Sequence, residues 1–328
     1  MAKISVIICC YNSEKVIRKP LEALKSQIDF REDWEIILVD NNCTDNTVQI
    51  AEEIWASEQT IPLRIVKESQ SGLIHARLKG VAEARYPIIS FIDDDNIPPP
   101  DWIKFHSKKM EDSSIGILGC TAVAQTEGTF PAWFKDNENA FATGKLYTEM
   151  FADITERGVV YGAGMVVRKQ IFTDLEARKW KPLLSGRIGN IQAGGEDAEL
   201  VLAAKQLGYR IFYTNEISLN HYILPERLTW ERLNAMTFGF GAADVYLLLY
   251  DLVYAESIGK RSINKFLRKN WLYNIIGKKT SLIVKIWRIS DPKKRQLFKT
   301  RNDAFCKTLM ENKENFKQKY LLIKDRLV

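Results

Sequence analysis

Three adjacent aspartates, Asp93, Asp94 and Asp95, end an apolar run and are followed at once by a proline-rich turn in the stretch PIISFIDDDNIPPPDW, residues 87–102. Like charges held this close are costly unless a cation or hydrogen-bond donors neutralise them. Carboxylate oxygens are hard ligands, so magnesium or manganese shared with a substrate's phosphates is the chemistry such a cluster would serve. A second acidic pair, Glu196 and Asp197, follows Gly194 and Gly195 and opens the apolar pattern Leu200, Val201, Ala204 and Leu207, which Gly208 closes. That pattern predicts a helix beginning near Asp197. Carboxylates there are stabilised by the helix dipole, and one of them could also act as a general base. Acidic and amide residues are common in plain turns too, so the elements around these clusters have to decide.

Those elements alternate. Ile4 to Cys10 is an apolar strand ending at Tyr11-Asn12-Ser13, with Ser13 placed to cap a helix reaching about Gln27. Trp34 to Val39 is a second strand, ending in a polar loop whose Thr44 or Asp45 can cap the helix that carries Val48, Ile50 and Ile54. Leu63 to Val66, a helix over residues 72–84 and the strand Ile88 to Ile92 follow. The order implies βαβ units, a mostly parallel sheet covered on both faces, and Asp- or Asn-bearing loops along one edge. Ligands of open α/β sheets bind at that edge. Between the acidic clusters, residues 159–167 read as a strand with two glycines. Glycine within a strand often marks close approach of a ligand.

Composition bounds the class. The 328 residues are 46% hydrophobic and 27% charged, enough for a large core in one domain with or without an extension. The N-terminal run MAKISVIICCYN reads as strand and not as a signal peptide, and no stretch approaches the roughly 20 apolar residues of a spanning helix. Five cysteines without CxxC spacing argue against a disulfide framework and a thiolate zinc site, and for a reducing cytoplasm.

The blocks VIICCYN, ILVDNNCTDNT, SQSGLIHARLKGVAEA, SFIDDDN and GGEDAELVLAAKQLGYRIFY, in this order over roughly residues 3 to 225, resemble those of family 2 glycosyltransferases. Cys9-Cys10 and Asn41-Asn42-Cys43 depart from the Pro-Thr and Asp-Gly-Ser common at those places. The resemblance implies the GT-A fold, α/β with a mostly parallel sheet, and Mn2+ or Mg2+ as cofactor. It further implies inverting transfer from a nucleotide-diphospho-sugar, with UDP as the expected carrier. Tyr11, Asn12, Asp40, Arg77 and Asp93 would then bind the nucleotide, with Asp40 accepting the N3–H of uracil. Asp95 and Asp93 would serve the metal, Asp94 would take the variable middle position, and His221 would be a further ligand with Arg227 near the diphosphate. Asp197 would be the base and Glu196 would orient the acceptor or its loop. Gly162, Trp133 and Trp180 would shape the sugar and acceptor sites, and residues 183–192 would form a lid. Helix capping for Asp40, a solvated helix face for Arg77, a structural role for His221 and core packing for the tryptophans are the plainer alternatives.

The expected organisation is a catalytic domain over 1–227, in which 1–100 binds nucleotide and 101–227 shapes the sugar and acceptor sites, followed by a basic helical region over 228–328. Between Gly259 and Arg301 fourteen Lys or Arg face one Asp, so this segment is strongly cationic while the rest of the chain is net acidic. Interleaved apolar and aromatic residues make an anionic membrane surface one reading, which would suit a glycan acceptor carried on a polyprenyl diphosphate. Packing on the core or on a second subunit is the other. No nucleic-acid motif accompanies the charge. A nucleotidyltransferase would want a glycine-rich loop after the first strand, and CCYNSEKVIRK has no glycine. A noncatalytic nucleotide-binding scaffold would need no base. The sequence therefore predicts a glycosyltransferase of cell-surface glycan synthesis, cytoplasmic or peripheral on the inner face of the membrane.

Overall fold

Three mostly apolar runs become the central strands: β1 (Ile4–Cys10), β2 (Trp34–Asp40) and β4 (Ile88–Asp93), each buried along nearly all its length. The computed structural model describes residues 1–27, 34–56, 61–186, 194–260, 263 and 267–328. The chain divides into two compact units, 1–174 with 208–228, and 175–207 with 229–328. The segment carrying Glu196 and Asp197 thus groups with the C-terminal helices.

In the first unit β3 (Leu63–Lys67) completes a parallel set in the order β3-β2-β1-β4. Helices α1 (Arg18–Lys25), α2 (Thr47–Trp55) and α3 (Leu73–Glu83) connect these strands. Side chains alternate across a strand, and Ile4, Val6 and Ile8 share a core with Ile36, Leu38, Leu21, Leu24, Ala51 and Ile54. The remaining strands are β5 (Asn96–Ile97), β6 (Ile115–Gln125), β7 (Phe151–Asp153), β8 (Val166–Arg168) and β9 (Arg210–Tyr222). They extend the sheet as β4-β8-β6-β9-β5, with β7 beside β9. β8 is antiparallel to both β4 and β6, while β6 and β9 run parallel, so the sheet is mixed beyond β4. This is an α/β sheet flanked by helices, α4 (Trp102–Lys109) among them.

Two local expectations are corrected. Residues 159–167 do not form one strand; only Val166 and Val167 join β8, because Gly164 at φ +72° turns the chain, and a side chain there would meet Leu219 and Trp102. Ser13 does not cap α1, which starts five residues later; its carbonyl closes a turn onto the amides of Val16 and Ile17.

The second unit takes in the end of α5 (Gln170–Ala177), then α6 (Glu196–Gln206), α7 (Trp230–Ser257), α8 (Trp271–Ile286), α9 (Pro292–Glu311) and α10 (Phe316–Leu327). Thr229, Asn270 and Asp291 cap α7, α8 and α9 through side-chain oxygens, and Pro292 takes the first turn of α9, where its missing N–H costs nothing. Contrary to the expectation of no spanning-length segment, the 28-residue α7 is long and apolar enough to cross a membrane by length and composition alone. Its apolar window is 61% buried inside the molecule, as in a core helix, and α6, α9 and α10 pack on it.

Candidate active site

Register sets the site. Cys10 pairs with Asp40 on one side of β1, and Cys9 pairs with Asp93 on the other. Asp40 and Asp93 therefore flank the end of β1, on strands whose backbones are about 10 Å apart at two strand spacings. The chain order reverses between β1 and β4, and an open sheet leaves a ligand crevice at such a switch point.

Asp40 is buried and its Oδ1 accepts the Cys43 amide at 2.8 Å, so one carboxylate oxygen holds the loop after β2. Asn12 adopts φ 52°, and its Oδ1 accepts the Thr44 amide at 2.7 Å, tying the loop after β1 to the loop after β2. Tyr11 beside it is exposed. Asn41 joins a third loop: its Nδ2 donates to the Glu68 and Gln70 carbonyls at 2.9 and 2.8 Å, and its Oδ1 accepts the Gly72 amide at 2.9 Å. Sequence reasoning treated Asn41 only as a departure from a motif.

Arg77 is not on a solvated face. It is 3% exposed, with its guanidinium 5.4 Å from the Phe91 ring centroid and Nη2 3.5 Å from Asp93 Oδ1. A Cβ on Gly162 would overlap that guanidinium, so Gly162 is the residue whose small size admits Arg77. The two candidates meet each other there.

The three aspartates have separate partners. Ser13 Oγ donates to Asp94 Oδ2, a contact the sequence gave no sign of. Burial, with Asp95 and Asp93 adding repulsion, pushes the Asp94 carboxyl up to about 7 against the pull of Ser13 and Arg227. Asp95 is buried; its Oδ2 accepts Arg227 Nη1 at 2.5 Å, and its Oδ1 accepts Asn96 Nδ2 at 3.1 Å. Burial works against the Arg227 charge, but Asp95, Asp94 and Asp93 hold its pKa above the ordinary value. Arg227 Nε is buried with no hydrogen-bond partner. β5 and β9 bring His221 in by pairing it with Asn96.

His221 Nε2 stands 3.2 Å from Asp95 Oδ1, yet both ring nitrogens are buried without a partner in hydrogen-bonding geometry. Neighbouring ligands of a magnesium or manganese ion with bonds of about 2.1 Å lie about 3 Å apart, so this pair fits such an ion. Among the described residues no group of three or more His, Cys, Asp or Glu is assembled for a metal, which leaves the other positions to substrate oxygens and water.

Trp133 stacks on Phe141 at 6.2 Å between centroids, with Phe134 beside it. In the second unit Glu196 is buried at the start of α6, and Asp197, half-buried, accepts the Ala198 amide at 2.7 Å. Trp180 donates its indole N–H to Tyr250 Oη at 2.9 Å, and Tyr250 donates to Glu199 Oε1 at 2.7 Å. Glu199 also accepts the Leu183 and Leu184 amides at 2.7 and 2.8 Å. This buried carboxylate, the anchor of the loop before α6, stood in the sequence as the one acid inside the apolar run of that helix. Of the expected lid, residues 187–192 lie outside the described residues.

Comparison with known proteins bears on the fold and the family. The chain is 23% identical over 222 residues to glycosyltransferase AglE of Haloferax volcanii, covering 68% of this chain and 67% of that one. It is 20% identical over 285 residues to a glucosyl-dolichyl phosphate glucuronosyltransferase of the same organism, covering 86% and 87%. Among solved structures it resembles S. aureus TarS 1-349 in complex with UDP (TM-score 0.52, 17% identity, 96% of this chain and 91% of that chain). It also resembles the mannosyltransferase PcManGT from Pyrobaculum calidifontis in complex with GDP-Man and Mn2+ (TM-score 0.56, 17% identity, 98% and 86%). At these identities the structural likeness speaks for the fold, which is GT-A with a helical C-terminal region. The family model described as Glycosyl transferase family 2 matches residues 5–175, more than half of the chain, and the protein accordingly belongs to that family.

Proposed function

We propose that the protein moves a sugar from a nucleotide-diphospho-sugar, UDP-linked by preference, to a hydroxyl of a glycan or lipid-linked acceptor, with inversion at the anomeric carbon. The observation that carries this reading is the convergence of Asp40, Arg77, Asp93, Asp95, His221 and Arg227 around the ends of β1, β2, β4 and β9 in one unit. Asp40 accepts the base N3–H with the oxygen that does not hold the loop, and Tyr11 and Asn12 line the base. Arg77 and Arg227 supply donors to the diphosphate, the latter through Nε. Asp95 and His221 would hold Mn2+ or Mg2+, which would supply Lewis-acid stabilisation of the leaving diphosphate, and Asp93 beside them would contact the ribose. PcManGT in complex with GDP-Man and Mn2+ supports a metal and a nucleotide sugar here by analogy.

Asp197 takes the proton of the acceptor hydroxyl as its oxygen bonds to the anomeric carbon; the bond from that carbon to the diphosphate oxygen breaks, and its electron pair leaves with the nucleoside diphosphate. A scheme with one base and no carboxylate nucleophile is direct displacement, which inverts the anomeric carbon. Glu196 positions the acceptor or its loop, and Gly162, Trp133 and Trp180 shape the sugar and acceptor sites. The name of the glucosyl-dolichyl phosphate glucuronosyltransferase supports a lipid-linked acceptor. All five cysteines are free thiols, a state that a reducing compartment maintains, which supports a cytoplasmic reaction.

Calorimetric titration with UDP, GDP and dTDP, each with and without manganese, tests the donor site. Manganese-dependent binding of one nucleotide is expected. A folded protein that binds none of the three would overturn the reading.

A further inference from the structure

Helix α8 has one side packed on the protein and one apolar side left uncovered. One faces the protein: Asn274 and Ile275 are buried, and Lys278 lies along α9 with its ammonium 4.5 Å from the Phe305 ring centroid. The other side consists of Leu272, Tyr273, Ile276, Ile283, Val284 and Trp287, all exposed, with Ile283 at 65% and Trp287 at 82%. At 3.6 residues per turn these six fall within an arc of about 120°. Exposed Lys279 and Arg288 border the arc on its two sides, within the segment in which fourteen Lys or Arg meet one Asp. A solvated helix has no reason to hold six large apolar side chains on one arc, and isolated exposed hydrophobics do not line up this way.

We propose that this face of α8 lies in the headgroup boundary of an anionic lipid bilayer, with the apolar arc inserted and Lys279 and Arg288 against lipid phosphates. Charge selects this occupant over a second copy of the chain. Two copies meeting face to face through α8 would set each cationic border against the other, whereas anionic headgroups neutralise it. Tyr273 and Trp287, near opposite ends of the helix along its axis, have the apolar body and polar tip suited to that depth. The inference stands on the second unit alone and does not depend on the donor-site reading.

The full chain is to be sedimented with phosphatidylcholine vesicles and with vesicles that also contain phosphatidylglycerol. It should bind the anionic vesicles, bind the neutral ones far less, and be released by raised salt. Ile276→Ser, Ile283→Ser and Trp287→Ser combined should reduce partitioning by at least about tenfold. Lys279→Glu and Arg288→Glu combined should remove the preference for anionic lipid. Circular dichroism and urea unfolding report whether each variant remains folded. No binding to anionic vesicles, or binding unchanged by the three serines, would overturn the proposal. So would a dimer in solution that the serine variant disperses and that shows no affinity for vesicles; the covering partner would then be a second copy.

Discussion

Arg227 Nη1 lies 2.5 Å from Asp95 Oδ2, and the two side chains are 15% and 6% exposed. A buried ion pair contributes little net stability over a well-packed apolar pair, yet removing one partner leaves a buried charge uncompensated. Arg227→Ala should therefore destabilise the fold by about 3 kcal/mol, and Asp95→Asn in the same background should recover part of the loss. Urea unfolding of the two single variants and the double variant measures the coupling; additive effects would show that the pair does not act as a unit.

The roles proposed for Asp197 and Asp95 separate catalysis from binding. Asp197→Asn should lower transfer by about 10²- to 10⁴-fold while UDP binding in manganese stays as it is. Asp95→Ala should weaken manganese-dependent UDP binding itself. Near-normal transfer by the Asp197 variant, followed with radiolabelled donor, would remove the base assignment.

Gly162 and Arg77 share one volume. Gly162→Ala forces the guanidinium away from Asp93 and Phe91, at a cost of about 1 to 3 kcal/mol, and should weaken nucleotide binding along with stability. Thermal melts paired with UDP titration test this. Loss of stability with full affinity would mean that Arg77 is a packing residue only.

The pH response should carry the mark of His106. This fully buried ring, with Nδ1 2.9 Å from the Trp102 carbonyl and its face against the Trp102 ring, has its pKa lowered by burial to about 4 from the ordinary 6.5. Between those values the unfolded chain holds the proton that the folded chain refuses. Stability is therefore full above pH 6.5 and falls as pH drops towards 4, by about 3 kcal/mol at most. His106→Phe should flatten this slope in urea melts at pH 7 and 5; an unchanged slope would place the response elsewhere.

Legibility followed locality. β1, β2 and β4 were readable because each is a mostly apolar run that stops at a polar turn, and α3 matched within a residue at each end because Gly72 and Ala84 bound its apolar pattern. The aspartates, Asp40 and Arg77 could be named from their blocks, but not the partners they would find. The contacts of Asp95 with His221 and Arg227 join residues far apart in the chain, and those of Ser13 with Asp94 and of Gly162 with Arg77 depend on neighbouring strands and loops. No spacing rule carries such pairings. The strand expected over 159–167 failed for a related reason: Gly162 and Gly164 answer to Arg77, Leu219 and Trp102, which local periodicity cannot see.

Asn41 leaves a consequence for ligand binding. With three hydrogen bonds it fastens the residues before α3 to the end of β2, while Asn12 ties the β1 loop to the β2 loop. The walls around Asp40 and the start of the helix bearing Arg77 are thus ordered before any nucleotide arrives. Much of the conformational entropy that binding would otherwise take from these loops has already been spent in folding. Asn41→Ala would hand it back, and the loss should show as a less favourable binding entropy more than as any missing contact.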